Sequence, residues 1–114
     1  MELEAIDVNG GQAVKLVLRG RLDTMGVNGV ETRFLATAIA GGRPAVVDLS
    51  GVELLTSMGI RMLISAARGM SQRHTRLVLF GAHDLVQEVL ETAAVDTLMA
   101  VVPTEAEALA LLKH

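Results

Sequence analysis

The first part of the chain alternates apolar and polar residues in two runs. They cover Leu3–Val8 and Ala13–Arg19, and in the second run three aliphatic residues share one face. Alternation with a period of two is typical of strands that bury one face. Because the sequence Asn9–Gly11 (Asn-Gly-Gly) separates the runs and Asn-Gly favours a tight turn, the pattern predicts a β-hairpin.

The next stretch changes to a helical period. Residues 25–40 place apolar side chains three and four positions apart, which predicts a helix. Its predicted inner face consists of Val27, Val30, Phe34 and Ala38. Gly26 and Gly29 lower helix propensity and predict a loose first turn. Gly41 and Gly42 then end the helix, and Pro44 opens the next element.

A buried strand and a second helix follow in the middle of the chain. Ala45–Leu49 is apolar except for Asp48, which predicts a strand, and a short loop then leads to a helix that begins near Ser57. The predicted inner stripe of this helix consists of Ile60, Leu63, Ile64 and Ala67. Its predicted outer side carries Met58, Arg61, Met62, Ser65 and Arg68, so we expect Met58 and Met62 to form an adaptable surface.

The last third repeats the strand–helix order. We expect a strand at Arg76–Phe80, a helix capped by Asp84, a weaker strand at Met99–Val102, and a final helix opened by Thr104. The third helix is expected to include Leu85, Val86, Val89 and Leu90. Strands that alternate with helices after a hairpin predict a single α/β domain over residues 1–114. Its sheet should be mixed but mostly parallel.

Composition narrows the classes of function. A net charge of −3 and only two aromatic residues argue against binding of nucleic acid by a basic surface or by base stacking. The chain has no cysteine, no apolar run long enough to cross a bilayer, and an acidic N-terminus unlike a secretory signal. These features predict a cytoplasmic protein without membrane insertion.

Motifs for a metal, a nucleotide or hydrolysis are incomplete. His74, His83 and His114 have no metal-ligand spacing, and no glycine-rich phosphate loop is present. The sequence LTSMG around Ser57 resembles a nucleophile elbow, but Leu55 stands where that motif needs glycine. We therefore expect no enzyme activity, no metal and no cofactor. Ser57 at a helix start is open to three interpretations: a cap, a nucleophile, or a phosphorylation site.

The segment from Val46 to Arg61, VVDLSGVELLTSMGIR, resembles the signature of STAS domains. Arg19–Asp23 resembles the family's G-x-L-D after the second strand, and Leu77–Leu79 with the helix around Val86–Leu90 resembles its fourth strand and third helix. The resemblance extends over the whole chain. It implies a STAS fold, with a mixed, mostly parallel sheet of about four to five strands and about four helices packed on it.

The resemblance to bacterial anti-sigma factor antagonists also implies a site. Ser57 matches the serine that a partner kinase phosphorylates, Gly59 matches the glycine of the signature, and Asp23 matches an acidic residue at the partner surface. The implied partner surface consists of Asp23, Thr24, Thr56, Met58, Gly59, Arg61 and Met62. Thr56 stands where the signature has aspartate, which leaves a hydroxyl without a charge and makes Thr56 a minor alternative acceptor.

Two functions follow from this resemblance. The first is an anti-sigma factor antagonist, which binds an anti-sigma factor that is also a serine kinase of the histidine-kinase-like ATPase type. Phosphorylation of the serine would release that partner, and a PP2C-type phosphatase would reset the protein. The alternative is a STAS binding subunit, without phosphorylation, of a lipid-type ABC transporter.

Overall fold

A computed structural model describes residues 1–112 of the chain. The five strands, β1 to β5, are Glu2–Val8, Ala13–Leu22, Ala45–Leu55, Leu77–Phe80 and Ala100–Val102. The four α-helices, α1 to α4, are Thr24–Leu35, Ser57–Gln72, Asp84–Thr92 and Glu105–Leu111. Short turns of other helical type cover Asn9–Gly11, Ala36–Ala40 and Val95–Thr97.

The strands form one sheet in the order of the chain, β1-β2-β3-β4-β5. β1 runs antiparallel to β2, and all other neighbouring pairs are parallel. Asn9, Gly10 and Gly11 all have positive φ, which the tight turn between β1 and β2 requires. The predicted hairpin and the predicted mixed, mostly parallel sheet are therefore confirmed.

Helices cover the two faces of the sheet unequally. α1, α2 and α3 pack on the face that carries Leu16, Val47 and Leu79, where Phe34 and Leu63 are fully buried. The opposite face has a smaller apolar cluster, in which Ala108 of α4 packs with buried residues of β3 and β4. An ion pair of 3.0 Å between Lys15 Nζ and Glu105 Oε1 links α4 to β2. The site described below lies where the larger layer of helices meets the ends of β2 and β3.

β3 is longer than the sequence predicted. The expected strand ended at Leu49, but β3 continues to Leu55 because Gly20–Leu22 of β2 extends beside Val52–Leu55 and supplies a pairing partner. The pairing shifts between Val17 and Arg19 and again between Gly20 and Arg21, so this end of the ladder is bulged. Bulges increase the local twist of a strand pair.

The cap of the third helix differs from the prediction. His83 occupies the cap position of α3, while Asp84 lies in the first turn without a side-chain cap bond. Val86 and Leu90 are buried, but Leu85 is 70% exposed. The apolar stripe of α3 is wider than the part that faces the core. The predicted cap of α4 is confirmed, since Thr104 Oγ1 accepts a hydrogen bond of 3.2 Å from the N–H of Glu107.

Gly26 has a different role from the one that its low helix propensity predicts. A Cβ at this position would overlap the carbonyl oxygen of Arg21, and the residue is buried in the first turn of α1. The prediction of a loose first turn is wrong at Gly26, because this glycine lets the helix begin directly against the end of β2. Gly29, in contrast, has open space around the position of a Cβ.

These two glycines make a matched pair for measurement. Gly26→Ala should lower the free energy of unfolding by about 2–3 kcal/mol, because backbone must move to admit the methyl group. Gly29→Ala should raise it by about 0.5–1 kcal/mol through the higher helix propensity of alanine. Urea denaturation of both variants checks this. Equal effects at the two positions would contradict the close packing at Gly26.

Candidate functional site

The caps of two helices lie side by side at one edge of the sheet. Asp23 is the N-cap of α1 and follows β2, while Thr56 is the N-cap of α2 and follows β3. The strand residues just before them, Leu22 and Leu55, are paired across the parallel ladder. Parallel pairing therefore brings together two chain segments that are far apart in sequence. Helix N-termini present free N–H groups and favour negative charge.

Asp23 caps its helix with its side chain. Asp23 Oδ1 accepts a hydrogen bond of 2.9 Å from the N–H of Gly26, and Arg21 Nε lies 3.5 Å from Asp23 Oδ2. The backbone hydrogen bond from Gly26, assisted by Arg21, holds the pKa of the Asp23 carboxyl below its ordinary value of 3.8. Asp23 thus stays ionised beside the start of α2 at neutral pH.

Thr56 has the cap position but does not use its side chain as a cap. Thr56 Oγ1 donates a hydrogen bond of 2.6 Å to the carbonyl oxygen of Leu22, and the N–H of Thr56 donates to the same oxygen at 3.1 Å. No cap hydrogen bond is formed from this side chain to the first turn of α2. Thr56 therefore occupies the N-cap position without capping the helix through its hydroxyl. Its hydroxyl instead ties the start of α2 to the end of β2.

Ser57 is the first residue of α2 and is exposed to solvent. The N–H groups of the first turn belong to Ser57, Met58 and Gly59, since the intrahelical bonds begin with Ile60 N–H donating to Thr56 at 3.0 Å. A hydroxyl at this position is accessible to a partner. It also lies at the end of the helix where the macrodipole favours an anion.

The inner face of α2 has the predicted period but a different phase. Its buried residues are Gly59, Met62, Leu63, Ala66 and Met70. Ile60, Ile64 and Ala67, which we expected inside, are only half-buried. The predicted stripe followed the branched aliphatic residues, whereas the buried face includes one glycine and two methionines.

This rotation of the helix corrects two residues of the predicted partner surface. Met62 is fully buried, so the expectation that it is exposed is wrong. Gly59 is buried too, and a Cβ there would lie 2.8 Å from Leu55 Cδ1 and 2.9 Å from Leu22 Cβ. Both residues lie beneath the predicted partner surface, where α2 packs against the paired ends of β2 and β3.

The remaining predicted surface residues are accessible. Thr24 and Arg61 are exposed, whereas Asp23, Thr56 and Met58 are half-buried, with Met58 packed against the core. Met25, which the sequence pattern did not single out, is 84% exposed. Together with Asp23 it lines a surface groove of about 410 Å³. Glu53 of β3 also lines this groove, so the pairing of β2 with β3 completes its wall.

The structure brings no metal-binding cluster together within residues 1–112. His74 and His83 are exposed residues on different loops, and His114 lies outside the described residues. Across the same residues, the helices are all too short or too polar to cross a bilayer.

Comparison with known proteins agrees with this geometry. A family model described as "MlaB, STAS domain" matches residues 7–103, which is most of the chain. The chain belongs to the STAS domain family. The search of curated proteins found no match.

Solved structures share the fold at low sequence identity. An anti-sigma factor antagonist from Mycobacterium paratuberculosis is 19% identical with a TM-score of 0.88, covering 99% of this chain and 94% of the other. A STAS domain protein from Planctomyces limnophilus is 21% identical with a TM-score of 0.84, covering 98% of each chain. Phosphorylated SpoIIAA from Bacillus is 20% identical with a TM-score of 0.69, covering 95% and 96%. The predicted STAS fold is therefore confirmed.

The bond from Thr56 to Leu22 can be tested by substitution. Thr56→Val removes the hydroxyl at constant shape and should lower the free energy of unfolding by about 1 kcal/mol. Thr56→Ser keeps the donor and should cost less. Urea denaturation measures both. A serine variant as unstable as the valine variant would show that the hydroxyl bond contributes nothing.

The lowered pKa of Asp23 predicts a pH dependence. A carboxyl with a depressed pKa in the folded state stabilises the fold above its unfolded pKa, and this contribution is lost as pH falls through the folded pKa. Below about pH 3.8 the parent should therefore lose more stability than Asp23→Asn, which keeps a cap but cannot titrate. Thermal melts of both proteins from neutral pH into acid measure the difference. Parallel curves would contradict the role of the Asp23 carboxylate.

Proposed function

We propose that this chain is an anti-sigma factor antagonist that is switched by phosphorylation of Ser57. The observation that carries the proposal is the exposed Ser57 at the start of α2, beside the ionised cap Asp23. Its partner is an anti-sigma factor that is also a serine kinase of the histidine-kinase-like ATPase type. A PP2C-type phosphatase removes the phosphate, and the cycle takes place in the cytoplasm.

The contrast between neighbouring hydroxyls supports Ser57 as the acceptor. Thr56 Oγ1 already donates to the Leu22 carbonyl at 2.6 Å, and its residue is half-buried. A phosphate on Thr56 would break this bond and force the strand end and helix apart. Ser57 is exposed, so a kinase can reach it without such a rearrangement. The minor alternative, Thr56, is therefore less favourable on this geometry.

The same helix start explains how a phosphate can act without unfolding the domain. A phosphate adds about −1.5 to −2 charges, which the N-terminal dipole of α2 tolerates. Arg61 lies four residues further along the helix, is exposed, and adds a positive charge on the same side. The phosphate then acts mainly on the complex with the partner, because binding would have to remove water from the new negative charge. The surface that meets the partner comprises Asp23, Thr24, Ser57, Met58 and Arg61, with Thr56, Gly59 and Met62 supporting it.

The domain acts as a binding module in this proposal and contributes no catalytic group. ATP, if present in the complex, is held by the kinase. The similarity to SpoIIAA in a phosphorylated form supports a phosphate on this fold, although the shared sequence is only 20%. Support for the position comes from the exposure of Ser57 in this chain.

A second candidate is a binding subunit of a lipid-type ABC transporter that works without phosphorylation. The match to a family model described as MlaB favours this candidate. Thr56 favours it as well, because the residue before Ser57 then serves structure, not kinase recognition. In this role the same surface would dock on the transporter's ATPase. The neighbouring genes distinguish the two, since one function needs a kinase and phosphatase and the other a permease and ATPase.

The direct test is incubation with the neighbouring kinase and ATP, followed by mass analysis. We expect one phosphate on Ser57, none on Ser57→Ala, and unchanged labelling of Thr56→Val. Labelling that persists in Ser57→Ala and disappears in Thr56→Val would move the acceptor to Thr56. An unlabelled parent that binds the ATPase of a transporter would favour the second function.

The effect of the charge can be separated from the effect of folding. Ser57→Asp should keep its Tm within a few degrees of the parent, because the helix N-terminus favours an anion. Its affinity for the kinase should fall by about tenfold or more. Ser65→Asp is the control, since Ser65 is an exposed residue two turns along the same helix and should keep binding. A large drop in Tm for Ser57→Asp would contradict the proposed switch.

A further inference from the structure

A second surface, on α3, has the features of a docking groove. Leu85, Val89 and Ala93 follow one another at four-residue intervals along α3 and face Leu54 across a groove of about 510 Å³. Leu85 is 70% exposed, although it is a large aliphatic residue in the first turn of the helix. Side chains four residues apart form a ridge on a helix, and a ridge beside a groove is the usual contact surface for another helix.

The fold uses this apolar row only in part, since Val89 is half-buried against the core whereas Leu85 is exposed. α3 packs on the sheet through Val86 and Leu90, which lie on the adjacent stripe and are buried. α3 therefore does not need Leu85 in order to pack on the sheet. A polar residue at this position would leave the buried stripe intact, so an exposed leucine here points to an external contact.

Charge on α3 indicates what kind of partner fits. Asp84, Glu88 and Glu91 are the charged residues of this helix, all of them acidic, and Glu88 lines the groove itself. Asp84, Glu88 and Thr92 form a polar row directly beside the apolar one. An occupant must therefore bring apolar side chains next to positive charge. An anionic membrane surface would be repelled by the acidic row.

We propose that this groove binds an amphipathic helix of a partner protein, with aliphatic residues at spacings of three and four and with lysine or arginine along one flank. The aliphatic residues would pack against Leu54, Leu85 and Val89, and the basic flank would face Asp84 and Glu88. Electrostatic complementarity of this kind selects partners and raises association rates.

The groove extends the proposed function toward the same partner, because Leu54 precedes Ser57 by three residues at the end of β3. The two proposals can nevertheless fail separately. Mass analysis of Ser57 does not involve the groove. Ser57→Asp should bind a groove-directed helix as tightly as the parent does.

The probe is a fluorescent synthetic helix of roughly 18 residues, long enough to hold helical structure, with leucines on one face and lysines on its flank. Two matched peptides replace the lysines by glutamates or the leucines by serines. Fluorescence anisotropy should show binding of the first peptide to the parent chain. Each matched peptide should bind about tenfold more weakly or worse.

Variants of the protein identify the binding surface. Leu85→Asp should weaken binding of the lysine peptide by about tenfold, whereas a purely electrostatic attachment would become tighter with the added negative charge. Glu88→Lys should shift the preference toward the glutamate peptide. Leu98→Asp is the control, because Leu98 is 55% exposed and does not line this groove. Circular dichroism and thermal melting of each variant confirm that it is folded.

Several outcomes would overturn the proposal. These are no binding of the lysine peptide by the parent, tighter binding by Leu85→Asp, or an equal loss in Leu98→Asp. A parent dimer in sedimentation equilibrium that Leu85→Asp converts to a monomer would assign the groove to a second copy of the chain. Binding of the parent to anionic vesicles that Leu85→Asp abolishes would assign it to a membrane.

Discussion

The carbonyl oxygen of Leu22 receives two hydrogen bonds from one residue, and the rest of the site depends on them. The N–H and Oγ1 of Thr56 both donate to it, at 3.1 and 2.6 Å. These bonds hold the start of α2 against the end of β2. The two elements are so close that a side chain at position 59 would not fit, and Gly59 has none. The two bonds also set the distance between the cap of α1 and the first residue of α2. Ser57, the next residue, is thereby positioned by the backbone of the neighbouring strand.

Local sequence signals were sufficient for the order of the elements and for most of their types. The sequence Asn9–Gly11 predicted the hairpin correctly because the preference of Asn-Gly for a tight turn depends only on neighbouring residues. The cap at Thr104 was also predicted from its immediate neighbours and was confirmed. Such features need no information about distant parts of the chain. The resemblance to the STAS signature then supplied the fold, which neither hydropathy nor composition could have specified alone.

The wrong predictions for the length of β3 and the phase of α2 have a common physical cause. Both depend on contacts between segments that are distant in sequence. β3 runs past Leu49 only because β2 extends beside it, and no local pattern reports that. The phase of α2 was wrong because its buried face includes Gly59, which packs closely on Leu22 and Leu55, and the fully buried Met62. Hydropathy favours isoleucine for such positions, whereas a close approach of helix to strand favours glycine. Among the predicted site residues, the burial of Gly59 and Met62 was therefore not foreseen.

The unequal lengths of β3 and β4 have a consequence for motion. β4 pairs with β3 only through Ala45–Asp48, so the last part of β3 has a single neighbouring strand. That part of β3 extends beyond its pairing with β4 and leads directly into Thr56 and Ser57. Segments with fewer cross-strand hydrogen bonds open at lower free-energy cost than the global fold. The segment that leads into Thr56 and Ser57 therefore depends on β2 alone for strand pairing, whereas the central part of β3 is paired on both sides.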